Sequence, residues 1–170
     1  NDTIMKLYNY LMEHEMYRDA TLVALAYEST GRKNELCQVL KDSVTDDRNC
    51  TNQVTGKRGK VFSLIYFELT KEAAKKYLAQ RGDDGIPELF VNSENRPATT
   101  GNIYEWVVDM RDIVEELTGE RQEFNVHSFR HSGLENYSTG THEHLIRNNM
   151  PPIPIEKLRL IARHENISTT

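Results

Sequence analysis

The spacing of apolar residues is helical along most of the chain and strand-like in one stretch. Residues 60–67 form a β-branched and aromatic run, which is typical of a strand, and residues 55–59 before it place two cations between glycines, as a hairpin loop does. Elsewhere apolar side chains recur three and four residues apart, the pattern of an amphipathic helix. Three segments show this pattern most clearly: residues 3–15, 103–117 and 155–163. Residues 19–28 are nearly all apolar after Asp19, which predicts a helix buried on most sides. The sequence therefore predicts helices around one small antiparallel sheet, an α+β, mainly α fold.

Residues that favour helix ends predict several boundaries. Asp19 is a suitable N-cap for the second helix and Gly31 is a suitable end for it. Thr70 caps a further helix, and Gly119 ends the long helix that starts near residue 103. Two more helices are expected at residues 34–40 and 127–137, and a proline-rich loop is expected at residues 151–154.

The distribution of charge bears on whether the chain can bind nucleic acid. The chain carries 21 Lys and Arg against 26 Asp and Glu, a net charge of −5 with a pI near 5.7, whereas nucleic-acid-binding domains often have a pI above about 9. The acidity is concentrated, because residues 1–30 carry 2 positive and 5 negative side chains and residues 91–120 carry 2 and 7. Residues 31–90 carry 11 positive and 9 negative side chains, and residues 121–170 carry 6 positive and 5 negative ones. The whole-chain charge therefore does not exclude a nucleic-acid site on the less acidic segments.

Length and composition indicate the class of protein. At 170 residues and 19.7 kDa, we expect residues 1–170 to form a single domain with its own core. No window approaches the roughly 18 uninterrupted apolar residues of a membrane helix, and no secretory signal opens the chain. Cys37 and Cys50 do not make a disulfide framework, so reduced thiols are expected. The chain starts with Asn1 and ends on Ser-Thr-Thr, from which we expect a piece of a longer protein.

Five of the six histidines lie at or after position 127, and residues 127–131 are His-Ser-Phe-Arg-His. On a helix the two histidines of this motif share a face, and with His142 and His144 they could ligate a metal. The same residues could be solvated surface without a function. A third interpretation is that His127 and Arg130, three residues apart, bind two oxygens of one phosphate. The motif alone leaves these three interpretations open.

Two other basic residues favour the phosphate interpretation. Arg32 lies in the turn after a buried helix, and Glu35 three residues later can hold its guanidinium in place. Lys57 lies at the tip of the glycine-flanked hairpin, where a flexible cation can reach a ligand. Each alone would be an ordinary surface charge. Together with His127 and Arg130 they predict a set of groups that binds a phosphate.

Four motifs in chain order resemble the conserved boxes of the tyrosine recombinases, or phage integrases. Residues 26–36 resemble the first arginine box, T-G-x-R-x-x-E-L, with Thr30-Gly31 one position closer to the arginine. Residues 54–64 resemble the hairpin that carries the catalytic lysine of that family. Residues 127–132 are similar to H-x-x-R-H-[ST], and residues 160–170 resemble L-L-G-H-x-x-[IL]-S-T-T. The resemblance spans nearly the whole chain and implies a helical catalytic domain with a small antiparallel sheet of about three strands.

The chain departs from the family pattern in three places. Arg163 stands where the family has a glycine before the third-box histidine. The stretch between the second and third boxes is longer than usual, which we expect to reflect an insertion around residues 142–154. The nucleophilic tyrosine of the family follows the Ser-Thr-Thr run, so it is expected beyond Thr170. Tyr137 lies on the helix of the second box, and we expect it to be a packing residue. The family's N-terminal core-binding domain is also missing from residues 1–170.

The resemblance implies that a tyrosine hydroxyl cleaves one DNA strand, leaving a 3′-phosphotyrosine and a free 5′-hydroxyl, without a metal or other cofactor. It assigns the catalytic roles to Arg32, Lys57, His127, Arg130 and His164. The arginines neutralise the phosphate, the histidines donate hydrogen bonds or move the proton of the nucleophile, and the lysine protonates the leaving oxygen. Lys60 is the alternative to Lys57, and Glu35 orients Arg32.

The same resemblance implies the partners of the protein. Double-stranded DNA is the substrate, with contacts expected from Lys33, Arg58, Lys60 and His131. A homotetramer is expected when two duplexes are brought together, whereas the isolated chain is expected to be a monomer that cannot cleave. Because such proteins integrate or excise mobile elements, we expect a bacterial, cytoplasmic, nucleoid-associated protein without a membrane partner.

Two other functions are compatible with these residues. A type IB topoisomerase-like enzyme shares the same catalytic set, although the compact boxes favour a recombinase. A DNA-binding regulator of the same fold would keep the surface and lack the reaction. The residues that follow Thr170 in the natural protein distinguish the regulator from the enzymes.

Overall fold

A computed structural model of the chain describes residues 2–45 and 47–163. Within these ranges the backbone forms eight α-helices, two β-strands and two 3-10 turns. The helices are α1 Asp2–Glu13, α2 Tyr17–Ser29, α3 Lys33–Leu36, α4 Glu68–Arg81, α5 Thr100–Thr118, α6 Val126–Thr139, α7 Glu143–Arg147 and α8 Ile155–Ala162. The strands are β1 Cys50–Thr55 and β2 Val61–Ile65, and the 3-10 turns are Lys41–Val44 and Lys57–Gly59. The mainly helical α+β fold class is therefore confirmed.

Helix α2 lies at the centre of the core. Every residue at positions 19–29 is buried, because α1, α4 and α6 all pack against this helix. The predicted N-cap at Asp19 is wrong, since α2 begins at Tyr17 and Asp19 lies within its first turn. The helix starts earlier because the Met16 N–H donates to the Leu11 carbonyl at 2.8 Å, which turns the chain directly from α1 into α2.

The end of α2 differs from the prediction by one residue. Thr30, and not Gly31, takes the left-handed conformation (φ 58°) and caps the helix, with its N–H donating to the Ala26 carbonyl at 3.1 Å. A Cβ at Gly31 would lie 3.0 Å from the Leu36 side chain and 3.3 Å from that of Leu64. A side chain at position 31 would therefore crowd the packing between α2, α3 and β2.

The N-terminus of α4 is capped from a distance. Thr70 was the predicted cap, but α4 begins at Glu68, and its first N–H groups donate to the buried carboxylate of Glu28 on α2. Glu28 accepts from the N–H groups of Phe67, Leu69 and Thr70 at 3.0–3.1 Å and from the Thr70 hydroxyl at 2.6 Å. Burial raises the pKa of Glu28 to about 7, although these hydrogen bonds favour its charged form. One carboxylate thus joins the two central helices.

The strands β1 and β2 pair in antiparallel register, with Val54 opposite Phe62 and Thr55 opposite Val61. In the described ranges the sheet contains these two strands rather than about three. The short apolar piece at residues 89–91 contributes an isolated bridge between Val91 and Pro97. It does not extend into a strand there, because proline has no N–H to continue a ladder.

Residues 142–154, the expected insertion, contain α7, a helix that the sequence analysis did not predict, and His142 just before it packs against α2. His142 is buried between the rings of Tyr27 and Tyr137, at centroid distances of 4.0 and 3.8 Å. Burial lowers the pKa of His142 to about 3, so the ring is neutral, and its Nδ1 accepts from the His144 N–H. His144 stacks on Phe67 at 3.5 Å. These two histidines are therefore packing residues and not part of a cluster with the 127–131 motif.

No helix in the two described ranges combines the length and the apolar character that a membrane span requires.

Replacing Glu28 tests its role as the cap of α4. We expect Glu28→Ala to lower the free energy of unfolding by on the order of 3 kcal/mol, because four buried donors lose their acceptor, and Glu28→Gln to cost less because one acceptor oxygen remains. Urea unfolding of each variant measures the effect. The exposed Glu116→Ala is the control and should stay within about 0.5 kcal/mol of the parent chain. Equal stabilities of the Glu28→Ala and control variants would contradict the assignment.

Candidate functional site

Arg32 begins α3 and lies next to a buried carboxylate. Its extended backbone (φ −92°, ψ 161°) directs its N–H to Glu35 Oε1 at 2.9 Å. Arg32 Nη1 lies 3.6 Å from Glu35 Oε2, and 33% of the Arg32 side chain is exposed whereas the Glu35 side chain is fully buried. The predicted orientation of Arg32 by Glu35 thus has a geometric basis in both the backbone and the guanidinium.

Arg130, on α6, is buried and bonded to the ends of two other helices. Its Nη1 donates to the Thr30 carbonyl at the end of α2, and its Nη2 donates to the Ala162 carbonyl at the end of α8, the latter at 2.8 Å. Only 2% of the residue is exposed. His127, one turn earlier on α6, is exposed. The pair predicted from the i, i+3 spacing therefore combines one accessible imidazole with one guanidinium fixed in the core.

Helix α6 can reach Thr30 only because it approaches α2 very closely. Gly133 faces the Tyr27 carbonyl, and a Cβ at this position would overlap that oxygen. The close approach brings Arg130, one turn before the glycine, to the C-terminus of α2. A helix C-terminus leaves carbonyl groups unsatisfied and carries partial negative charge, so it is a suitable site for a buried cation.

Arg163 is a third arginine at this place. Its side chain is 8% exposed and donates to the carbonyls of Ser29 and Thr30 at 2.9 and 3.0 Å and to Glu35 Oε1 at 3.2 Å. In the sequence, Arg163 is notable only because it stands where the family pattern has a glycine. The neighbouring His164 was assigned to the catalytic set, but no sequence pattern indicated that the Arg163 guanidinium would reach the end of α2.

The positive charges at the site act on one another. Burial and the charges of Arg32 and Arg163 lower the pKa of Arg130 to about 10, so it remains charged at neutral pH. Partial burial and the charges of Arg130 and Arg32 lower the pKa of His127 below its ordinary value. His127 is therefore neutral near pH 7 and donates from one ring nitrogen only.

A cleft of about 460 Å³ opens beside these residues, between α3, α5 and the start of α6. Arg32 and His127 line it together with Lys33, Tyr104 and Arg111. Lys33 Nζ lies 5.6 Å from the centre of the half-exposed Tyr104 ring. Arg32, Lys33, an imidazole and a ring thus meet at one open surface, whereas the Arg111 guanidinium there is paired with Glu123 at 2.9 Å.

The hairpin tip lies against the same carboxylate. A Cβ at Gly56 would be 2.8 Å from Glu35 Oε2 and 2.6 Å from the Phe62 ring, so glycine is required for this contact. Lys57 follows immediately, in the exposed 3-10 turn, and Arg58 there has a left-handed backbone (φ 62°). Lys57 is therefore carried next to the Arg32–Glu35 pair, while its own side chain extends from the surface.

The remaining predicted residues are accessible or lie outside the described ranges. Lys33, Arg58 and Lys60 are exposed, as the predicted DNA contacts require, and exposed His131 lies 3.8 Å from Glu135. His164 lies outside the described residues. The structure thus brings Arg32, Glu35, His127 and Arg130 to one place and sets the hairpin beside it.

This arrangement can bind and polarise an oxyanion. Guanidinium groups remain charged at neutral pH and bind phosphate oxygens in pairs, and a cleft with fixed positive charges lowers the energy of negative charge that develops there. Besides Tyr104 and Arg111 of the cleft, sequence reasoning missed two parts of it, the Thr30 carbonyl and the Arg163 side chain. The only sequence signal for the Arg163 side chain was that an arginine replaces a glycine at this position. A backbone carbonyl gives no signal in a sequence.

The profile of the phage integrase family matches residues 1–170. Among solved structures, the chain is similar to the XerA recombinase, with a TM-score of 0.72 at 20% identity over 99% of this chain and 56% of the other. For the Tn1549 transposon integrase in complex with circular intermediate DNA, the TM-score is 0.67 at 15% identity over 97% of this chain and 56% of the other. For a lambda integrase dimer bound to a core site, the TM-score is 0.65 at 13% identity over 99% of this chain and 57% of the other.

The chain spans about half the length of the solved chains that it matches. No curated protein sequence matches it. At these identities the structural likeness shows the fold.

A substitution at Gly133 tests whether the site depends on the close approach of α6 to α2. We expect Gly133→Ala to lower the free energy of unfolding by on the order of 2 kcal/mol, because the new methyl group overlaps the Tyr27 carbonyl. Gly101→Ala on α5 is the matched control, since its Cβ would meet nothing closer than 3.6 Å. That control should be neutral or stabilising by up to about 1 kcal/mol. Gly133→Ala matching Gly101→Ala in urea unfolding would rule out the close approach.

Proposed function

Because the chain belongs to the phage integrase family, we propose that the natural protein is a site-specific DNA recombinase. It cleaves and religates DNA strands through a 3′-phosphotyrosine and so integrates or excises a mobile element. Residues 1–170 supply the catalytic domain, and the nucleophilic tyrosine follows Thr170 in the natural protein. A separate N-terminal domain completes the grip on DNA.

The observation that supports this proposal is the meeting of Arg32, Arg130 and His127 from α3 and α6 beside one open cleft. Attack on a phosphodiester builds negative charge on the non-bridging oxygens, and cations fixed in advance lower that barrier. Arg32 is the accessible guanidinium, while buried Arg130 supplies charge from behind it. Neutral His127 donates a hydrogen bond to the same oxygens.

The proposed reaction balances without an added reagent. The tyrosine oxygen attacks phosphorus, the new bond to phosphorus forms, and the bond to the 5′-oxygen breaks. Lys57 on the hairpin donates a proton to that departing oxygen, and His164 or His127 receives the tyrosine proton. Because the phosphotyrosine conserves the phosphodiester bond energy, a 5′-hydroxyl of another strand reverses the step, and the chemistry needs neither nucleotide nor metal.

The proposed partner is double-stranded DNA, contacted by the exposed residues Lys33, Arg58, Lys60 and His131. Two duplexes with one protomer on each cleaved strand require a homotetramer during recombination. We propose that the protein acts on the bacterial nucleoid, since that is where such DNA lies. The chain alone should bind DNA weakly, because few phosphates are neutralised.

A trapping experiment tests the strand cleavage. With the complete natural protein and its cognate site in a nicked suicide duplex, we expect a covalent adduct at the 3′ end of the cleaved strand, seen as a shifted band in a denaturing gel. Arg32→Ala and Arg130→Ala should reduce the adduct by about a hundredfold or more, because each removes charge at the developing oxyanion.

Arg147→Ala is the matched control for these two variants. Its side chain has the same 33% exposure as that of Arg32 but pairs with Glu72 and Glu143 on another face. The control should cleave normally. Site-specific DNA binding by the wild type without any adduct would refute the recombinase and indicate the regulator, whereas normal cleavage by both site variants would refute the site.

A modified leaving group tests the role of Lys57. A 5′-thiolate leaves without protonation, so Lys57→Ala should slow cleavage strongly on an ordinary 5′-oxygen and much less on a 5′-thio bridging substrate. Single-turnover rates on the two substrates give the comparison, with Lys60→Ala as the control on the same hairpin. Equal losses on both substrates would remove Lys57 from this role, and the selective loss appearing in Lys60→Ala would transfer the role to Lys60.

A further inference from the structure

Arg163 occupies a buried position between two helix ends. It follows α8, and its guanidinium reaches back to the C-terminus of α2, donating to the Ser29 and Thr30 carbonyls. It also donates to the Ile161 carbonyl at 2.6 Å and lies 4.6 Å from the centre of the Phe62 ring on β2. The side chain thus contacts the end of α2, the end of α8 and the sheet at once.

The backbone conformation at Arg163 is unfavourable for a residue other than glycine, so the contacts of its side chain must offset that strain. Its φ of 59° is left-handed, a conformation that glycine adopts freely and that strains other residues. A glycine would end α8 here at no steric cost. The arginine therefore requires compensating contacts, and the structure shows them on its guanidinium rather than on its stem.

The most specific of these contacts is with Glu35. Arg163 Nη2 lies 3.2 Å from Oε1 of this carboxylate, and both side chains are buried, whereas Arg32 Nη1 lies 3.6 Å from Oε2 and its side chain is one-third exposed. Among the described residues, Glu35 Oε2 accepts no hydrogen bond. Arg163, and not Arg32, is therefore the closer counter-ion of Glu35.

We propose that Arg163 is a positioning residue that neutralises and holds Glu35, which leaves the Arg32 guanidinium available to the DNA phosphate. This inference rests on the proposed function for its effect on DNA. Oε1 is held between the Arg32 N–H and Arg163, which fixes the rotation of the carboxylate. Without Arg163, the full negative charge of Glu35 would draw the Arg32 guanidinium inward and offset its charge at the cleft.

The test compares four forms of the complete natural protein: wild type, Arg163→Ala, Glu35→Gln and the double variant. In the single-turnover suicide assay at saturating DNA, Arg163→Ala should cleave about tenfold or more slowly than wild type, with little change in the Kd for DNA. Adding Glu35→Gln should restore part of that rate, because the amide still accepts from the Arg32 N–H and carries no charge. Arg163→Lys, which keeps the positive charge, should cleave faster than Arg163→Ala.

Arg159→Ala, one turn earlier on α8, is the matched control for the loss of a positive charge and should cleave normally. Wild-type cleavage by Arg163→Ala, or a double variant no faster than Arg163→Ala, would overturn the proposal. A purely structural role predicts the second of these results, since removal of Glu35 would then add damage instead of relieving it.

Thermal unfolding of the same four forms separates this inference from the proposed function. In the wild-type background, Glu35→Gln should lower the melting temperature. In the Arg163→Ala background the same substitution should raise the melting temperature, or lower it by less, because it then removes an unpaired buried carboxylate. Equal shifts in both backgrounds would overturn the role of Arg163. A wild type that forms no DNA adduct would refute the recombinase, whereas the coupling in unfolding would still decide the Arg163–Glu35 pairing.

Discussion

The carbonyl groups at the C-terminus of α2 are the point on which the site depends. A helix end leaves its last carbonyls without partners inside the helix, and burial makes them costly unless donors reach them. In this fold Arg130 from α6 and Arg163 from the end of α8 donate to the final carbonyls, those of Ser29 and Thr30, while the Tyr137 hydroxyl donates to that of Glu28. A structural need of the core therefore fixes two cations beside the turn that carries Arg32.

This arrangement explains how an acidic chain can handle a phosphate. Arg32, Arg130 and Arg163 lie around a single carboxylate, Glu35, so this group of four retains a positive excess although the chain as a whole carries −5. The cations are placed by helix ends and hydrogen bonds, not by an accumulation of basic residues. Net charge governs long-range attraction to DNA, whereas the chemistry at one phosphate depends on local, fixed charges.

Periodicity and motifs allowed much of the fold and of the site to be predicted. The apolar pattern predicted α1, α2, α5 and α8, and the Thr99–Asn102 and Asn125–Ser128 capping boxes that start α5 and α6 are local features of the chain. The starts of α2 and α4 could not be predicted as well. The start of α2 depends on the bond from the Met16 N–H to the Leu11 carbonyl, which apolar spacing does not record, and a long-range contact decides the start of α4. Glu28 caps α4 from a position some forty residues away, and no local pattern records such a contact.

The same distinction holds at the site. The motifs identified Arg32, Glu35, His127 and Arg130, which the structure brings together, but they did not indicate that Arg130 is buried or which atoms it bonds. The Thr30 carbonyl is invisible in a sequence, because every residue has one. Arg163 was visible only as an exception to a pattern, and its partners became clear only when α8 was seen against α2.

The most direct measurement is a crystal structure of the complete natural protein on an uncleaved cognate duplex. We expect the phosphate at the cleavage position to contact Arg32 and His127, with Arg130 still donating to the Thr30 carbonyl and Arg163 still paired with Glu35. A phosphate seated away from Arg32, or an Arg130 guanidinium withdrawn from Thr30, would contradict a site built on the end of α2.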